Sequence, residues 1–374
     1  MPKLRKAAAR FSLVFSILYV ATLIALVNLE DRLVYPGAYM PPSRAQPPSI
    51  ATLEASVSPS KSAGEKTHSE QVNPQSSDAA KTLANNSKNL SPELITDVSY
   101  RTCDGLLLWG RLLEVNRPDD SGPENTVLVL HGNANRAVYL NKRLVRLANY
   151  LDANVMAAEY RGFEDDHQPS EKGLQKDCEA AMDFLCQRYN LSSSDIIIFG
   201  TSLGGGCATS LAASRGAKVV ILDRTFDRLF EVAAEKYPFF PVRSIMKNRY
   251  DSIKNLQIYR GPLIMIHGDQ DEIVSIERGR NLYEQAACSP KHWIEVPGLS
   301  HLMPLADETL EKVRRKTLEI KNAAPPLPRI DTTIPSDFQA FESTPEMNMK
   351  LMINVDKDDE AGSSRKKELP KTGD

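Results

Sequence analysis

Asp195-Ile196-Ile197-Ile198-Phe199-Gly200-Thr201-Ser202-Leu203-Gly204-Gly205-Gly206 is the stretch on which the reading of the fold turns. Ile196 to Phe199 is a short apolar run, the pattern of a buried strand. Gly200-Thr201-Ser202-Leu203-Gly204 fits G-x-S-x-G, and a helix-compatible run from Cys207 to Ala213 follows. In that layout a serine sits on a strained strand-to-helix turn with its hydroxyl lifted off the sheet. A Cβ at Gly200 or Gly204 would crowd such a turn. The helix N-terminus behind Ser202 favours negative charge developing nearby. The pentapeptide alone is weak, because glycine and serine are common. Its context, strand before and helix after, carries the signal.

Outward from this point the chain alternates strands with helices. Val98–Thr102 and Leu106–Val115 read as two strands joined by the turn Cys103-Asp104-Gly105. Apolar runs at Thr126–Leu130, Asn154–Ala158, Lys218–Leu222, Pro262–Ile266 and Trp293–Val296 are further strands. Leu174–Arg188, Arg278–Ala287 and Asp307–Ile320 are helices, and a helical pattern through Leu144, Leu147 and Leu151 follows Leu130. The expected fold class is α/β, with a mainly parallel central sheet covered by helices on both faces. The segment from Phe226 to Ile258 is too short for a large lid domain.

A nucleophilic serine needs a base to take its proton and an acid to orient that base. Downstream of Ser202 the strand Leu263–Ile266 ends in His267-Gly268-Asp269-Gln270-Asp271-Glu272. The last strand leads into Pro297-Gly298-Leu299-Ser300-His301. Both stretches lie beyond the C-terminal ends of strands, the edge where open α/β sheets place their sites. Of six histidines, His301 alone lies in a loop after the last strand; His131 and His267 precede glycines at strand ends, where a structural hydrogen bond is the simpler role. Asp271 is the favoured acid, with Asp269 and Asp223 also in reach. The backbone N–H of Leu203 and, from the loop after Leu130, that of Asn133 are candidate oxyanion donors. An ordinary strand-to-helix turn explains His131-Gly132-Asn133 equally well.

Lys3, Arg5, Lys6 and Arg10 precede an uncharged apolar run, Phe11–Val27. That is near the shortest span of a bilayer, ~17 residues. The run is longer than a usual signal-peptide core, and no A-x-A site follows before Glu30 and Asp31, so an uncleaved signal-anchor is favoured over a cleaved signal. Basic residues 1–10 then stay cytoplasmic, 11–28 cross the membrane, and the rest lies on the non-cytoplasmic side. Residues 29–94, rich in Pro, Ser, Asn and Lys, read as a disordered tether, 95–322 as the globular domain and 323–374 as a disordered tail. The closing Leu369-Pro370-Lys371-Thr372-Gly373 matches a sortase signal only by coincidence, since no apolar segment follows it. A net charge of −2 without a dense basic stripe argues against a nucleic-acid partner. Five cysteines show no metal-binding spacing and no disulfide framework, so no metal and no cofactor are expected.

Taken together, His131-Gly132-Asn133-Ala134-Asn135, Glu159-Tyr160-Arg161-Gly162-Phe163, Pro169-Ser170-Glu171-Lys172-Gly173-Leu174, the Gly200–Gly205 stretch, His267–Val274 and Gly298-Leu299-Ser300-His301 resemble the α/β-hydrolase superfamily. The segment from about Val98 to Ile320 is similar to its membrane-anchored, single-domain "bud-emergence" type, and so is Leu33-Val34-Tyr35-Pro36. The resemblance implies Ser202 as nucleophile, Asp271 as acid, His301 as base, and Asn133 and Leu203 as oxyanion donors. It implies hydrolysis of acyl esters or thioesters of lipids or lipidated proteins. One departure is Phe163-Glu164-Asp165-Asp166, where the family has a second glycine and a small residue. Tyr237, Phe239, Phe240 and Met246 are candidates for an acyl-chain pocket, or for a membrane-facing or packed cap surface. Two other readings are a scaffold on a hydrolase fold, which an intact Ser-Asp-His set argues against, and a serine peptidase, which would need an added domain.

Overall fold

The most continuous apolar runs become the centre of one sheet because they are buried on both faces. In the computed structural model, which describes residues 2–40, 94–116 and 122–323, the strands are β1 (Ile95–Arg101), β2 (Leu107–Leu113), β3 (Asn125–Leu130), β4 (Ala153–Ala158), β5 (Ile196–Thr201), β6 (Val219–Asp223), β7 (Leu263–Gly268) and β8 (Lys291–Val296). Their order in the sheet is β1-β2-β4-β3-β5-β6-β7-β8. The hairpin β1–β2 and the β2–β4 pair are antiparallel, and all later pairs are parallel. β3 and β5 are central: Leu130 registers with Gly200, which sets the loop after β3 beside the turn after β5.

Alternate residues of each run serve opposite layers. Leu128, Leu130, Ile196, Ile198, Val220 and Leu222 face one core, under α3 (Glu171–Tyr189), α4 (Leu203–Arg215) and α7 (Ser252–Ile258). Val127, Val129, Ile197, Phe199, Val219 and Ile221 face the other, under α2 (Asn141–Leu151) and α9 (Asp307–Ala323). Near-continuous burial on both faces is what a parallel sheet requires. Ser170 caps α3 by accepting from the Gly173 N–H, and Asp251 caps α7 through the Lys254 N–H. Between β6 and β7 the cap consists of α5 (Leu229–Lys236), the single turn α6 (Val242–Ile245) and α7. No large lid domain is present among the described residues. The remaining helix, α8 (Ile276–Gln285), follows β7 in the chain and packs against β7 and α7. All five cysteines are free thiols; Cys178, Cys207 and Cys288 are buried and Cys103 is exposed.

The N-terminal helix, α1 (Pro2–Val34), runs past residue 28, where the sequence suggested a tether would begin. Two features hold its end. The Glu30 carboxylate accepts the backbone N–H groups of Lys247 and Asn248 at 2.9 and 2.7 Å, and Asp31 takes the Asn248 side-chain amide. Tyr35 is fully buried, its hydroxyl donating to Asn248 Oδ1 at 2.8 Å and lying 3.0 Å from the Tyr250 hydroxyl. A short 3-10 turn, Pro36–Tyr39, then lies against the loop after β3. A composition rich in Pro, Ser, Asn and Lys suggested a tether from residue 29; its first residues, Glu30, Asp31 and Tyr35, instead bond to the cap. The rest of the expected tether, 41–93, and the expected tail from 324 lie outside the described residues.

If residues 30–39 are an integral part of the fold, Tyr35→Ala should lower stability by about 3–5 kcal/mol. Leu29→Ala, six residues earlier and exposed, should change it by less than about 0.5 kcal/mol. Chemical unfolding of the two variants beside wild type measures the difference; equal values would place this segment outside the folded unit.

Candidate active site

The site begins at a backbone that only one arrangement satisfies. Ser202 bridges β5 and α4 with φ 53° and ψ −118°. A non-glycine residue at positive φ is strained by roughly 1–3 kcal/mol and persists only where neighbours hold it. Here the Ser202 N–H donates to Asp223 O at 3.0 Å, and Thr225 Oγ1 donates to Ser202 O at 2.8 Å. The glycines around it are forced by contact. A Cβ on Gly204 would lie 2.1 Å from Leu130 O, and one on Gly200 would lie 2.5 Å from Gly204 O. α4 therefore starts against the end of β3, closer than any side chain allows.

Two loops from the same sheet edge reach this turn. His301 Nε2 lies 3.0 Å from Ser202 Oγ. His301 Nδ1 lies 2.8 and 2.9 Å from the two carboxylate oxygens of Asp271. Asp271 in turn accepts the N–H groups of Ile273 and Val274 at 3.0 and 2.8 Å. Burial works to raise its pKa, but the His301 contact and these two N–H donors outweigh it and hold the carboxyl below its ordinary value. Asp269 instead accepts the Gly298 N–H, and Asp223 forms a buried pair with Arg224. The other described histidines are occupied elsewhere or distant in the fold. His131 contacts Glu159, His167 pairs with Asp165, and His292 sits on β8; His267 contacts Val274 O and lies 3.5 Å from Asp271, but it does not contact Ser202. His68 lies outside the described residues.

Asn133 and Leu203 line the same cavity as Ser202 and His301. Leu203 is the first residue of α4, so its N–H has no partner within the helix. The loop carrying Asn133 is held from below by Glu159, at the end of β4. Its carboxylate contacts His131 Nε2 at 3.0 Å and accepts the N–H of Ala137 and of Tyr160. From outside, the Gly37 N–H donates to Asn133 O at 2.8 Å, and Arg136 donates to the carbonyls of Gly37 and Met40. The acidic departure after Gly162 has a structural role. Glu164 pairs with the buried Arg136 at 3.0 Å, and Asp165 accepts the N–H groups of Gly162 and His167.

The cavity has a volume of about 560 Å³, within the usual range for small-molecule sites, and its walls are mainly apolar. Tyr237 and Met246 line it. Phe239 and Phe240 do not, and this corrects the expected pocket set. Phe240 instead stacks on Tyr19 of α1, and Phe239 is 84% exposed. Three contributors escaped the sequence reading. Arg224 holds the His301 loop by donating to the carbonyls of Ser300 and Met303 at 2.7 and 2.6 Å. Arg143 lines the cavity and donates to Thr201 Oγ1, next to Ser202. The end of α1 supplies Leu26, Val27, Glu30, Leu33 and Val34 to the cavity wall. The family-like Leu33-Val34-Tyr35-Pro36 and the polar residues directly after the apolar segment were the hints at this last contribution.

Comparison with known proteins follows the same outline. No family model matches the chain. An uncharacterized protein of Mycobacterium tuberculosis is 34% identical over 209 residues, covering 56% of this chain and 73% of the relative. The alpha/beta hydrolase domain-containing protein WAV2 of Arabidopsis thaliana is 26% identical over 224 residues, covering 55% and 72%. Among solved structures, the esterase Pf2001 of Pyrococcus furiosus superposes with a TM-score of 0.50 at 20% identity, over 62% of this chain and 96% of that one. That last likeness is one of fold.

Two expectations test the architecture. Gly204→Ala should fail to fold or lose several kcal/mol by thermal unfolding, because the new methyl meets backbone on β3. His267 is buried, and burial holds its pKa below the ordinary histidine value. The unfolded chain then binds a proton near pH ~6.5 that the folded one refuses. The neutral ring's contribution is complete above that pH and is lost as pH falls below it. Between pH ~6.5 and ~5, wild-type stability should fall more steeply than that of His267→Gln, by up to about 1.4 kcal/mol per pH unit. Urea unfolding across that range checks it, and parallel curves would be the contrary result.

Proposed function

The chain belongs to the α/β-hydrolase superfamily, and we propose that it is a membrane-anchored serine hydrolase of acyl esters or thioesters. The observation that carries the proposal is the 3.0 Å approach of His301 Nε2 to Ser202 Oγ, with Asp271 on the opposite ring nitrogen. Ser202 is the nucleophile. His301 takes its proton as Oγ attacks the acyl carbonyl, and Asp271 orients the ring and stabilises the imidazolium that forms. The oxyanion forms where the N–H groups of Leu203 and Asn133 converge, each contributing about 3–4 kcal/mol to the transition state. Collapse returns the His301 proton to the leaving oxygen or sulfur and leaves an acyl-Ser202. Water, deprotonated by His301, then releases the acid and restores the serine.

Substrate class follows from the walls. An apolar cavity with one polar edge suits a hydrocarbon chain attached to the reacting carbonyl. The helix Arg10–Val34, long and apolar enough to cross a bilayer, supports the anchor. Basic residues before it favour a cytoplasmic N-terminus, with the hydrolase domain on the opposite side.

Purified full-length protein should react with a fluorophosphonate at Ser202 and hydrolyse long-chain acyl esters. Ser202→Ala should lose both activities while retaining its fold by circular dichroism. Asp271→Asn should retain labelling at a much reduced rate, with kcat lower by about 10,000-fold. Undiminished ester hydrolysis by Ser202→Ala would reject the assignment.

A further inference from the structure

α1 meets the rest of the molecule along one stripe. Tyr19, Leu23, Leu26, Val27, Glu30 and Val34 are half-buried or buried, three or four residues apart. The positions between them from Arg10 to Leu29 are exposed, Phe11, Phe15, Ile17 and Ile24 among them. The lower end of the stripe rests on the cap. The Tyr19 ring stacks on Phe240 with centroids 5.4 Å apart and planes 12° apart, and its hydroxyl donates to Phe239 O at 3.0 Å.

That contact fixes a depth. Tyr19 stands eight residues before Val27, the end of the uncharged run, or about 12 Å along the axis at the α-helical rise. Each half of a bilayer's hydrocarbon core is about 15 Å thick. A bilayer that encloses Phe11–Val27 therefore also encloses the cap loop packed on Tyr19. The loop suits that medium. Tyr237-Pro238-Phe239-Phe240-Pro241-Val242 carries no charge, and Lys236 and Arg243 stand at its two ends. Their charged ends turn back to the protein, Lys236 Nζ donating to Glu272 O at 3.0 Å and Arg243 pairing with Glu231 at 2.8 Å, so the charges that flank the loop are bonded outside its apolar stretch. Lipid tolerates backbone only when its N–H groups are bonded internally. Three of the loop's four N–H groups are bonded in this way, Tyr237, Phe240 and Val242 donating to Ala233 O, Tyr237 O and Phe240 O, and the two prolines have no N–H. In water, Phe239 at 84% exposure has no such rationale.

We infer that the Tyr237–Val242 loop is inserted in the membrane beside α1, and that the cavity between them admits an acyl chain sideways from the lipid layer. The substrate class is thereby narrowed to acyl esters or thioesters whose chain resides in the membrane; this rests on the membrane-anchored hydrolase reading above. Leu26 and Val27 of α1 and Tyr237 of the loop line the cavity that also holds Ser202, so a chain passing between them reaches the reacting carbonyl without crossing water.

Tryptophan fluorescence in vesicles separates this inference from its premise. Phe239→Trp and, separately, Leu13→Trp are introduced into the full chain and reconstituted in phosphatidylcholine with or without acyl-chain bromination, with wild type as the baseline for Trp109 and Trp293. Both added tryptophans should lose about half their emission or more in the brominated lipid, as expected for contact with acyl chains. Quenching at position 13 without quenching at 239 would overturn the inserted loop and leave the anchor standing. Quenching at neither would remove the anchor and the inference with it. The route is read on wild type in the same vesicles. Ser202 labelling by a hexadecyl fluorophosphonate dissolved in the bilayer should outpace labelling by an ethyl fluorophosphonate added to the water by about tenfold or more. An equal or slower rate would overturn sideways access.

Discussion

The absence of a side chain on Gly204 is the constraint from which the site is built. Because a Cβ there would lie 2.1 Å from the carbonyl of Leu130, α4 can begin only if that position is bare. The close approach puts the first N–H of a helix beside the loop that follows a neighbouring strand. Ser202 is then left in a backbone conformation that its own residue type disfavours, held by bonds to Asp223 and Thr225. The strain of the turn and the approach of its hydroxyl to His301 have one cause.

The loops that meet this turn are held by buried polar groups. Arg224, almost wholly buried, is neutralised by Asp223 and spends its remaining donors on the carbonyls of Ser300 and Met303. Glu159 does the corresponding work beneath the His131–Asn135 loop. Leaving any of these groups unpaired in the interior costs more than the pairing gains, so each loop has one low-energy position. His301 and Asn133 inherit that definition, which is what preorganised transition-state stabilisation needs.

The N-terminal segment joins the same system. Glu30, Tyr35 and Gly37 bond to the cap and to the Asn133 loop, so the helix that carries the apolar run is continuous with a wall of the cavity. Helix and site are mechanically one piece. The cap loop follows α1 because Phe240 stacks on Tyr19. The geometry that joins cavity and helix also gives the exposed aromatic of the cap a place beside it.

The fold class was legible from the sequence because it depends on local pattern. Apolar runs such as Ile196–Phe199 and Val127–Leu130 alternate with amphipathic helices, and a strand apolar at every position has only the middle of a parallel sheet to occupy. The glycines at 200 and 204 and the order serine, aspartate, histidine were legible for a similar reason: they are residue types that a specific turn and a specific proton transfer demand. Tertiary structure alone decided what depends on side chains meeting across the chain. Nothing in Glu30-Asp31 or Gly37 distinguishes a tether from a buried strut until Asn248 and Asn133 are seen opposite them. Nothing in Pro238-Phe239-Phe240 tells a pocket wall from an outward-facing loop until Tyr19 takes the ring. Local sequence determines what a segment can become, because propensity and periodicity act between near neighbours; which partner it finds is set by packing among residues more than two hundred positions apart.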